Sequence, residues 1–217
     1  RLRVALFASG DELVMPGEAL APGRIYNSNL FTATALLRSL GCEVVDLGIV
    51  EDSLAATKAA LAQGATKADL VLASGGVSVG EEDHVKPAVE ALGSLDLWKI
   101  AIRPGKPLAY GEIDGTPFIG TPGNPVSLFV TFLLFARPFI LKRQGRSDYL
   151  PRPLSAVADF DWSRPDKRRE FHRARLVTAA NGEVRVQVHA SRSSGVLSSV
   201  AWANGLVIIP ESQQVHA

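Results

Sequence analysis

The sequence predicts an α/β fold with a mostly parallel sheet and helices on both faces, followed by a small all-β domain. Apolar strand-like runs alternate with helical patterns through the first half of the chain, which is the pattern of a parallel sheet. Residues 142–153 are polar, basic and proline-bearing, as in a linker, and beyond them the apolar residues repeat with a period of two. We therefore expect an α/β domain over residues 1–147 and a β domain over 148–217.

The first strands and helices follow from their apolar runs and end signals. Residues 3–8, 42–50 and 69–73 have the continuous apolar character of strands that are buried on both faces. Asn27 or Ser28 can cap a helix that ends at Gly41, and Ser53 can cap a second helix that closes at Gly64. A third helix is expected over 87–92.

The later elements are predicted by the same patterns. Residues 98–102, 108–113 and 117–121 favour strands, and 126–141 favour a buried helix that is too short and too interrupted to span a membrane. In the second domain, 170–177 and 184–188 flank an Asn181-Gly182 hairpin turn. The last apolar segment, 206–210, has no obvious partner strand in the sequence.

Composition excludes several classes of function. A formal charge of +1 gives no electrostatic reason to expect a nucleic acid or a membrane as a partner. The single Cys42 excludes an internal disulfide and a cysteine-based zinc cluster, and it fits a reducing compartment, so we expect a cytoplasmic protein. The four histidines show no paired spacing and are interpreted as surface or interface residues.

Four loops are expected to converge at the carboxyl edge of the sheet, where such sheets bind ligands. After the third strand, Gly75, Gly76 and Gly80 can offer backbone N–H groups to an anion, and Glu81-Glu82-Asp83 can share a divalent cation with it. Mg²⁺ with a phosphate is the simplest interpretation. The other three loops carry Gly10-Asp11-Glu12, the cations Arg103 and Lys106, and Gly123-Asn124 before a helix that contains Ser127.

One formal motif offers an alternative chemistry. Gly76-Val-Ser-Val-Gly80 matches G-x-S-x-G after a strand, which would make Ser78 the nucleophile of an acyl hydrolase. The carboxylates of Glu81, Glu82 and Asp83 oppose the oxyanion that a hydrolase must stabilise, so this alternative is the less favoured one. Neither a Rossmann nor a P-loop glycine motif is present.

Five segments together resemble the molybdopterin molybdenumtransferase family, which includes MoeA and the gephyrin E domain. They are Ser-Gly-Asp-Glu-Leu (9–13), Gly-Arg-Ile-Tyr-Asn-Ser-Asn (23–29), Ser-Gly-Gly-Val-Ser-Val-Gly-Glu-Glu-Asp (74–83), Arg-Pro-Gly-Lys-Pro (103–107) and Gly-Thr-Pro-Gly-Asn-Pro-Val-Ser (120–127). The β-rich tail resembles that family's small C-terminal domain. The family carries further domains before the first of these segments, so we expect a fragment or a naturally short relative, and His84 replaces a usually aromatic residue.

The resemblance implies that adenylylated molybdopterin and molybdate react to give molybdenum cofactor and AMP, with Mg²⁺ required. Asp11 and Asp83, with Glu82 as a weaker candidate, would hold the metal. Glycines 75, 76, 80 and 123, Asn124 and Ser78 would contact phosphate or pterin, and Arg103, Lys106 and Ser127 would bind molybdate, with Ser78 in reserve. A homodimer is implied, with a molybdopterin adenylyltransferase as a possible partner. A non-catalytic molybdopterin-binding or scaffold module is the second interpretation.

Overall fold

The computed structural model describes residues 1–77, 84–178 and 181–217, which fold around two main sheets. The strands are β1 (Arg3–Ser9), β2 (Leu13–Val14), β3 (Ile25–Tyr26), β4 (Glu43–Val50), β5 (Leu70–Ser74), β6 (Gly93–Trp98), β7 (Ile102–Arg103), β8 (Ala109–Ile113), β9 (Thr116–Thr121), β10 (Val157–Ala158), β11 (Arg169–Thr178), β12 (Val184–Val188) and β13 (Gly205–Ile209). The helices are α1 (Asn29–Ser39), α2 (Leu54–Lys67), α3 (Val85–Leu92), α4 (Pro125–Thr131), a π-helical turn (Phe132–Ala136), α5 (Arg137–Arg143) and α6 (Ser198–Trp202).

The first sheet is mostly parallel, as the sequence predicts. Its strand order is β4-β1-β5-β9-β8-β6, in which β4, β1, β5 and β9 are parallel and β8 and β6 each run antiparallel to their neighbour. The carboxyl ends of β1, β5 and β9 therefore lie at one edge. Because β8 is antiparallel to β9, the residues just before β8 lie at that same edge.

Helices cover both faces of this sheet, which confirms the predicted fold class. On one face, α2 and α3 bury an apolar core that includes Leu61 and Val89. On the other face, α1 and the long helix that begins at α4 bury a second core that includes Leu37 and Ile140. All four of these side chains are fully buried, so each helix is fixed to the sheet by its apolar side.

Two predicted boundaries are wrong. Helix α2 does not close at Gly64 but continues to Lys67, because Gly64 lies against the sheet, where an added Cβ would be 3.1 Å from a Val71 methyl group. Trp98 ends β6 instead of opening a strand, and Lys99 follows it at φ 74°. The turn is needed because β6 pairs with β8, and the chain must reverse between them.

The long apolar helix is continuous over Pro125–Arg143 and contains the π-helical turn just before Pro138. Proline lacks an N–H and its ring collides with the carbonyl four residues earlier, so a wider turn at this point is expected. The expectation that this helix is too short and too interrupted to span a membrane is wrong, because its 19 residues suffice by length and composition. Its interpretation as a buried helix fits, since 56% of its most apolar window is buried inside the fold, as in a core helix.

The second sheet has the order β10-β12-β11-β13 and contains the predicted hairpin as the antiparallel pair β11–β12. The prediction of no partner for the last segment is wrong, because β13 pairs antiparallel with β11. Strand β7 also pairs with β11, in parallel, which places Arg103 beside Glu170. Val126 and Val130 of α4 pack against Phe171 of β11, so helix α4 and the second sheet share an apolar contact next to this pairing.

Candidate functional site

The loops after β1, β5 and β9 form a strand-end cleft, which we define by Asp11, Gly75, Gly76, Gly123 and Asn124. Gly75 has φ 89°, and its N–H donates to the Thr121 carbonyl at 3.0 Å. An added Cβ would lie 2.4 Å from the Ser9 carbonyl oxygen. Only glycine permits this approach between the ends of β1 and β5, so the backbone of the cleft can lie close to a ligand.

Asn29, at the start of α1, holds two of these loops together. Its Nδ2 donates to Ser74 Oγ at 2.9 Å and to the Gly123 carbonyl at 2.7 Å. Its Oδ1 is buried and has no hydrogen-bond partner among the residues that the structure describes. Asn29 lies in the family-like segment 23–29, but that segment alone gives it no role. The signal was a polar residue on the buried face of a helix, which usually needs a partner.

Asp11 lies on the exposed side of the cleft and contacts the loop after β4. Its Oδ1 accepts a hydrogen bond from the Asp52 N–H at 3.1 Å, and Ser9 Oγ donates to Asp52 Oδ1 at 3.3 Å. No local pattern in the sequence indicates Asp52 as part of this site. Glu82 and Asp83, with Ser78 and Gly80, lie outside the described residues. Among the residues that are described, no three His, Cys, Asp or Glu side chains are arranged to hold a metal.

The predicted oxyanion residues Arg103, Lys106 and Ser127 meet in a second site, a cavity of about 420 Å³ that we call the cationic cavity. Arg103 ends β7, Lys106 lies in the loop between β7 and β8, and Ser127 comes from the first turn of α4. Strand β11 and the loops of the second sheet supply the other wall. The cavity is lined by Arg103, Pro104, Gly105, Lys106, Pro107, Ser127, Arg168, His172, Arg192, Ser193 and Ser194.

Hydrogen bonds fix the wall that the second domain contributes. Ser194 accepts a hydrogen bond at its carbonyl from the Val126 N–H at 3.0 Å, which fastens this loop to the start of α4. Arg173 is 1% exposed and donates to Ser199 Oγ at 2.9 Å and to the carbonyls of Ser191 and Ser193 at 2.6 and 3.2 Å. Burial lowers the pKa of its guanidinium. The loop is therefore held by a buried cation behind it and a helix beside it.

Two carboxylates balance the cations of the cavity. Asp166 accepts from Arg168 Nε and Nη2 at 2.9 and 2.8 Å and from Arg103 Nη1 at 3.1 Å. The hydrogen bonds from Arg168 and Arg103 hold the pKa of Asp166 well below its usual range, and the hydrogen bonds that Arg168 donates to Asp166 raise the pKa of Arg168. Glu170 is 1% exposed and accepts from Trp162 Nε1 at 2.9 Å.

His172 is buried, which corrects its assignment as a surface or interface histidine. It faces the cavity from β11, its Nε2 lies 3.3 Å from Glu170 Oε1, and its ring packs 4.1 Å from that of Trp162. Burial lowers the pKa of His172 to about 4, against the opposing influence of Glu170. No local pattern in the sequence indicates this burial, because it depends on the pairing of β11 with β7 and β13.

The described part of the chain also holds a larger cavity, of about 800 Å³, between the long helix and the second sheet. Its lining is mainly apolar, with side chains such as Leu134, Phe160, Phe171 and Leu206. It lacks the convergent charged and hydroxyl groups of the cationic cavity. The smaller cavity and the strand-end cleft are therefore the candidate functional site, because polar groups from several elements meet there.

Comparison with known proteins agrees with this organisation. A family model described as "Probable molybdopterin binding domain" matches residues 5–142, and one described as "MoeA C-terminal region (domain IV)" matches residues 155–217. The molybdopterin molybdenumtransferase of Haemophilus influenzae is 39% identical over 214 residues, covering 98% of this chain and 53% of the relative. Molybdopterin molybdenumtransferase 2 of Mycobacterium tuberculosis is 38% identical over 220 residues, covering 97% and 53%.

A solved structure of the molybdopterin biosynthesis moeA protein from Pyrococcus horikosii superimposes with a TM-score of 0.82 at 30% identity, covering 99% of this chain and 52% of that one. The fold and the first family model define the class: this is a chain with a molybdopterin-binding domain. With its MoeA-type C-terminal region, it belongs to the MoeA family of molybdopterin molybdenumtransferases. The chain spans about half the length of the curated relatives it matches.

Proposed function

We propose that this chain acts in molybdenum cofactor biosynthesis as the ligand-binding part of a transferase that inserts molybdate into adenylylated molybdopterin and releases AMP. The observation that carries the proposal is the meeting of two complementary sites at one helix start. Asn124 belongs to the strand-end cleft and Ser127 lines the cationic cavity, and both lie at the first turn of α4. A phosphate-bearing substrate and an oxyanion could therefore bind side by side.

The cationic cavity suits a small tetrahedral dianion. Arg103, Lys106, Arg168 and Arg192 supply positive charge, and Ser127, Ser193 and Ser194 supply hydroxyl groups. Guanidinium groups donate in a fixed fork that matches the oxygens of an oxyanion. Molybdate has this shape and charge, and tungstate shares both, so the proposal covers either ion.

The strand-end cleft suits the nucleotide and pterin. Gly75, Gly76 and Gly123 expose backbone at strand ends, and Asn29 has a buried acceptor that lacks a partner. The carboxylates of Asp11 and Asp52 are oxygen ligands of the kind that Mg²⁺ prefers. Asp11 would hold Mg²⁺ with Asp83 and Glu82, and Asp52 is an additional candidate. When bound, the metal would offset the charge of the phosphate groups.

The test compares two ligands on one set of variants. Replacing Arg103 by Ala should weaken molybdate binding by about tenfold to a hundredfold, since a hydrogen bond from a charged donor contributes roughly 1.5–3 kcal/mol. AMP binding should change by less than about twofold. Arg38→Ala removes an exposed arginine on α1, away from both sites, and is the matched control. Calorimetric titration measures each affinity.

Lys106→Ala provides a second variant, because Arg103 also contacts Asp166 and its removal changes that pair. Equal losses for molybdate and AMP in both variants would assign these cations to the nucleotide and contradict the proposal. Release of AMP from adenylylated molybdopterin in the presence of molybdate then separates a transferase from a non-catalytic binding or scaffold module.

The proposal extends to the setting in which the chain works. We propose a cytoplasmic homodimer that receives adenylylated molybdopterin from a molybdopterin adenylyltransferase. The support is the resemblance to the family and the single cysteine, Cys42, which is buried and unpaired. Sedimentation velocity with and without the adenylyltransferase would measure both associations.

A further inference from the structure

His172 is the histidine among the residues that line the cationic cavity, and its neutral ring can take up a proton. Its side chain is 4% exposed, and it lies on β11, which pairs with the strand β7 that ends at Arg103. The proposed function above uses the cations and hydroxyl groups of the cavity but gives this histidine no role.

Contacts around the ring indicate how its two nitrogens are used. Nε2 lies 3.3 Å from Glu170 Oε1, and the ring packs against the Trp162 indole. Glu170 is itself held by Trp162 Nε1 and lies 3.7 Å from Arg103 Nη1. A carboxylate in this position accepts a hydrogen bond from Nε2–H, which leaves Nδ1 as the nitrogen available to a ligand.

The charges that face His172 are mostly positive. Arg173 flanks it on β11, Arg192 stacks over Trp162 with its Cζ 3.8 Å from the ring, and Arg103, Lys106 and Arg168 share the cavity wall. Glu170 opposes them, and Asp166 is bound to Arg103 and Arg168. Burial and the neighbouring arginines lower the pKa of His172 to about 4, so the imidazole of the empty cavity is neutral at pH 7.

We propose that His172 takes up one proton from solvent when a tetrahedral dianion enters the cationic cavity, and that its Nδ1–H then donates a hydrogen bond to the bound ion. The inference rests on the proposed function, because it requires an oxyanion in this cavity. Two negative charges beside the ring reverse the local field and favour the imidazolium form, and Glu170 stabilises its other nitrogen. No covalent bond forms or breaks, and the proton comes from the buffer.

The test is calorimetric titration of the 217-residue chain with sodium molybdate, at about pH 6 and in buffers of different ionisation enthalpy. We expect uptake of close to one proton per ion bound. Linkage then requires the apparent affinity to rise as the pH falls from 8 to 6, by up to tenfold per pH unit. His172→Gln should bind with little proton uptake and little pH dependence, whereas His216→Gln, which changes a histidine with a 75% exposed side chain, should behave as the native chain does.

A second measurement needs no substitution. The chain is labelled with ¹⁵N in its histidines and studied by NMR. Without ligand, the Nδ1 signal of His172 should lie at the position of a neutral ring, and it should move to the imidazolium position when molybdate is added. Tight binding without proton uptake, or an unchanged Nδ1 signal, would overturn this inference and leave the oxyanion site standing. An absence of molybdate binding by the native chain would overturn the proposed function and this inference together.

Discussion

The strand-end cleft and the cationic cavity differ in what builds them. The cleft is made by loops of one sheet, and its key contacts are between backbone atoms, such as the approach of Gly75 to the Ser9 carbonyl. The cavity is made by side chains from the second sheet, its loops and helix α4, and the β7–β11 pairing brings Arg103 beside Glu170, 67 positions later in the chain. The cleft therefore depends on local geometry, and the cavity depends on how the domains meet.

This difference determines how each site tolerates change. A backbone contact has no freedom to adjust, so a single added methyl group must move a strand. A wall of long charged side chains can rearrange, since each guanidinium rests on a flexible stem. Substitutions in the cleft should therefore mainly lower stability. Substitutions in the cavity should mainly change which ligand charge the site prefers.

The largest expected effect is a loss of stability, and it should differ between a glycine of the cleft and a glycine of the cavity. Gly75→Ala should destabilise the chain by about 3 kcal/mol, because alanine at φ 89° is strained and its Cβ would lie 2.4 Å from a backbone oxygen. Gly105→Ala, at φ 114° in the cavity, meets a Thr131 methyl carbon at 2.6 Å, and a side chain can shift more easily than the backbone oxygen that faces Gly75, so its cost should be smaller. Urea denaturation of each variant measures the difference.

Gly145→Ala is the control for backbone strain, because Gly145 has φ 83° and open space around it. It should cost only the roughly 1–2 kcal/mol of a left-handed conformation. If Gly105→Ala were more costly than Gly75→Ala, the cavity and not the cleft would be the rigid site, and the comparison above would be wrong.

The same difference explains what the sequence could predict. The parallel strands, the helix caps and the convergence of strand-end loops follow from periodicity and from rules of connection that act over short distances. Ser53 is an example, since its Oγ accepts from the Ala56 N–H at 3.2 Å as its position before an apolar helix predicts. The family-like segments then identify Arg103, Lys106 and Ser127, which the structure brings together.

Residues that act across domains could not be predicted in this way. His172, Arg173 and Glu170 lie on a strand of alternating character, and their burial depends on the pairing of β11 with β7 and β13. Asp52 reaches Asp11 only because β4 is the neighbour of β1. These contacts join residues far apart in the chain, and neither local periodicity nor end signals specify such pairs.

A second prediction tests the buried polar contact of the cleft. Asn29→Ala should destabilise the chain by about 2 kcal/mol, because it leaves the Gly123 carbonyl and Ser74 Oγ without their shared donor. Asn204→Ala is the matched control, since the Asn204 side chain also makes two hydrogen bonds, both with the backbone of Leu176, but is exposed. Asn204→Ala should lower the free energy of unfolding by less than about 0.5 kcal/mol in the same urea experiment. Equal changes would show that the Asn29 contacts do not hold the loops.

The smallest expected effect concerns the acidic side of the cationic cavity and has a defined pH dependence. Asp166 and Asp148 each form a two-fold hydrogen bond with an arginine two positions away, but their side chains are 18% and 54% exposed. Arg168, with Arg103, holds the pKa of Asp166 below that of an unfolded aspartate, about 3.9. The folded chain then binds a proton less readily than the unfolded chain, so this stabilisation is present above about pH 4 and is lost as the pH falls below it.

Asp166→Asn should lower the free energy of unfolding by about 1 kcal/mol at pH 7. Urea denaturation should show that this loss becomes smaller as the pH approaches 3. Asp148→Asn should change stability less, because water screens the exposed pair. A cost for Asp166→Asn that stayed constant from pH 7 to 3 would mean that packing, and not charge, fixes this wall of the cavity.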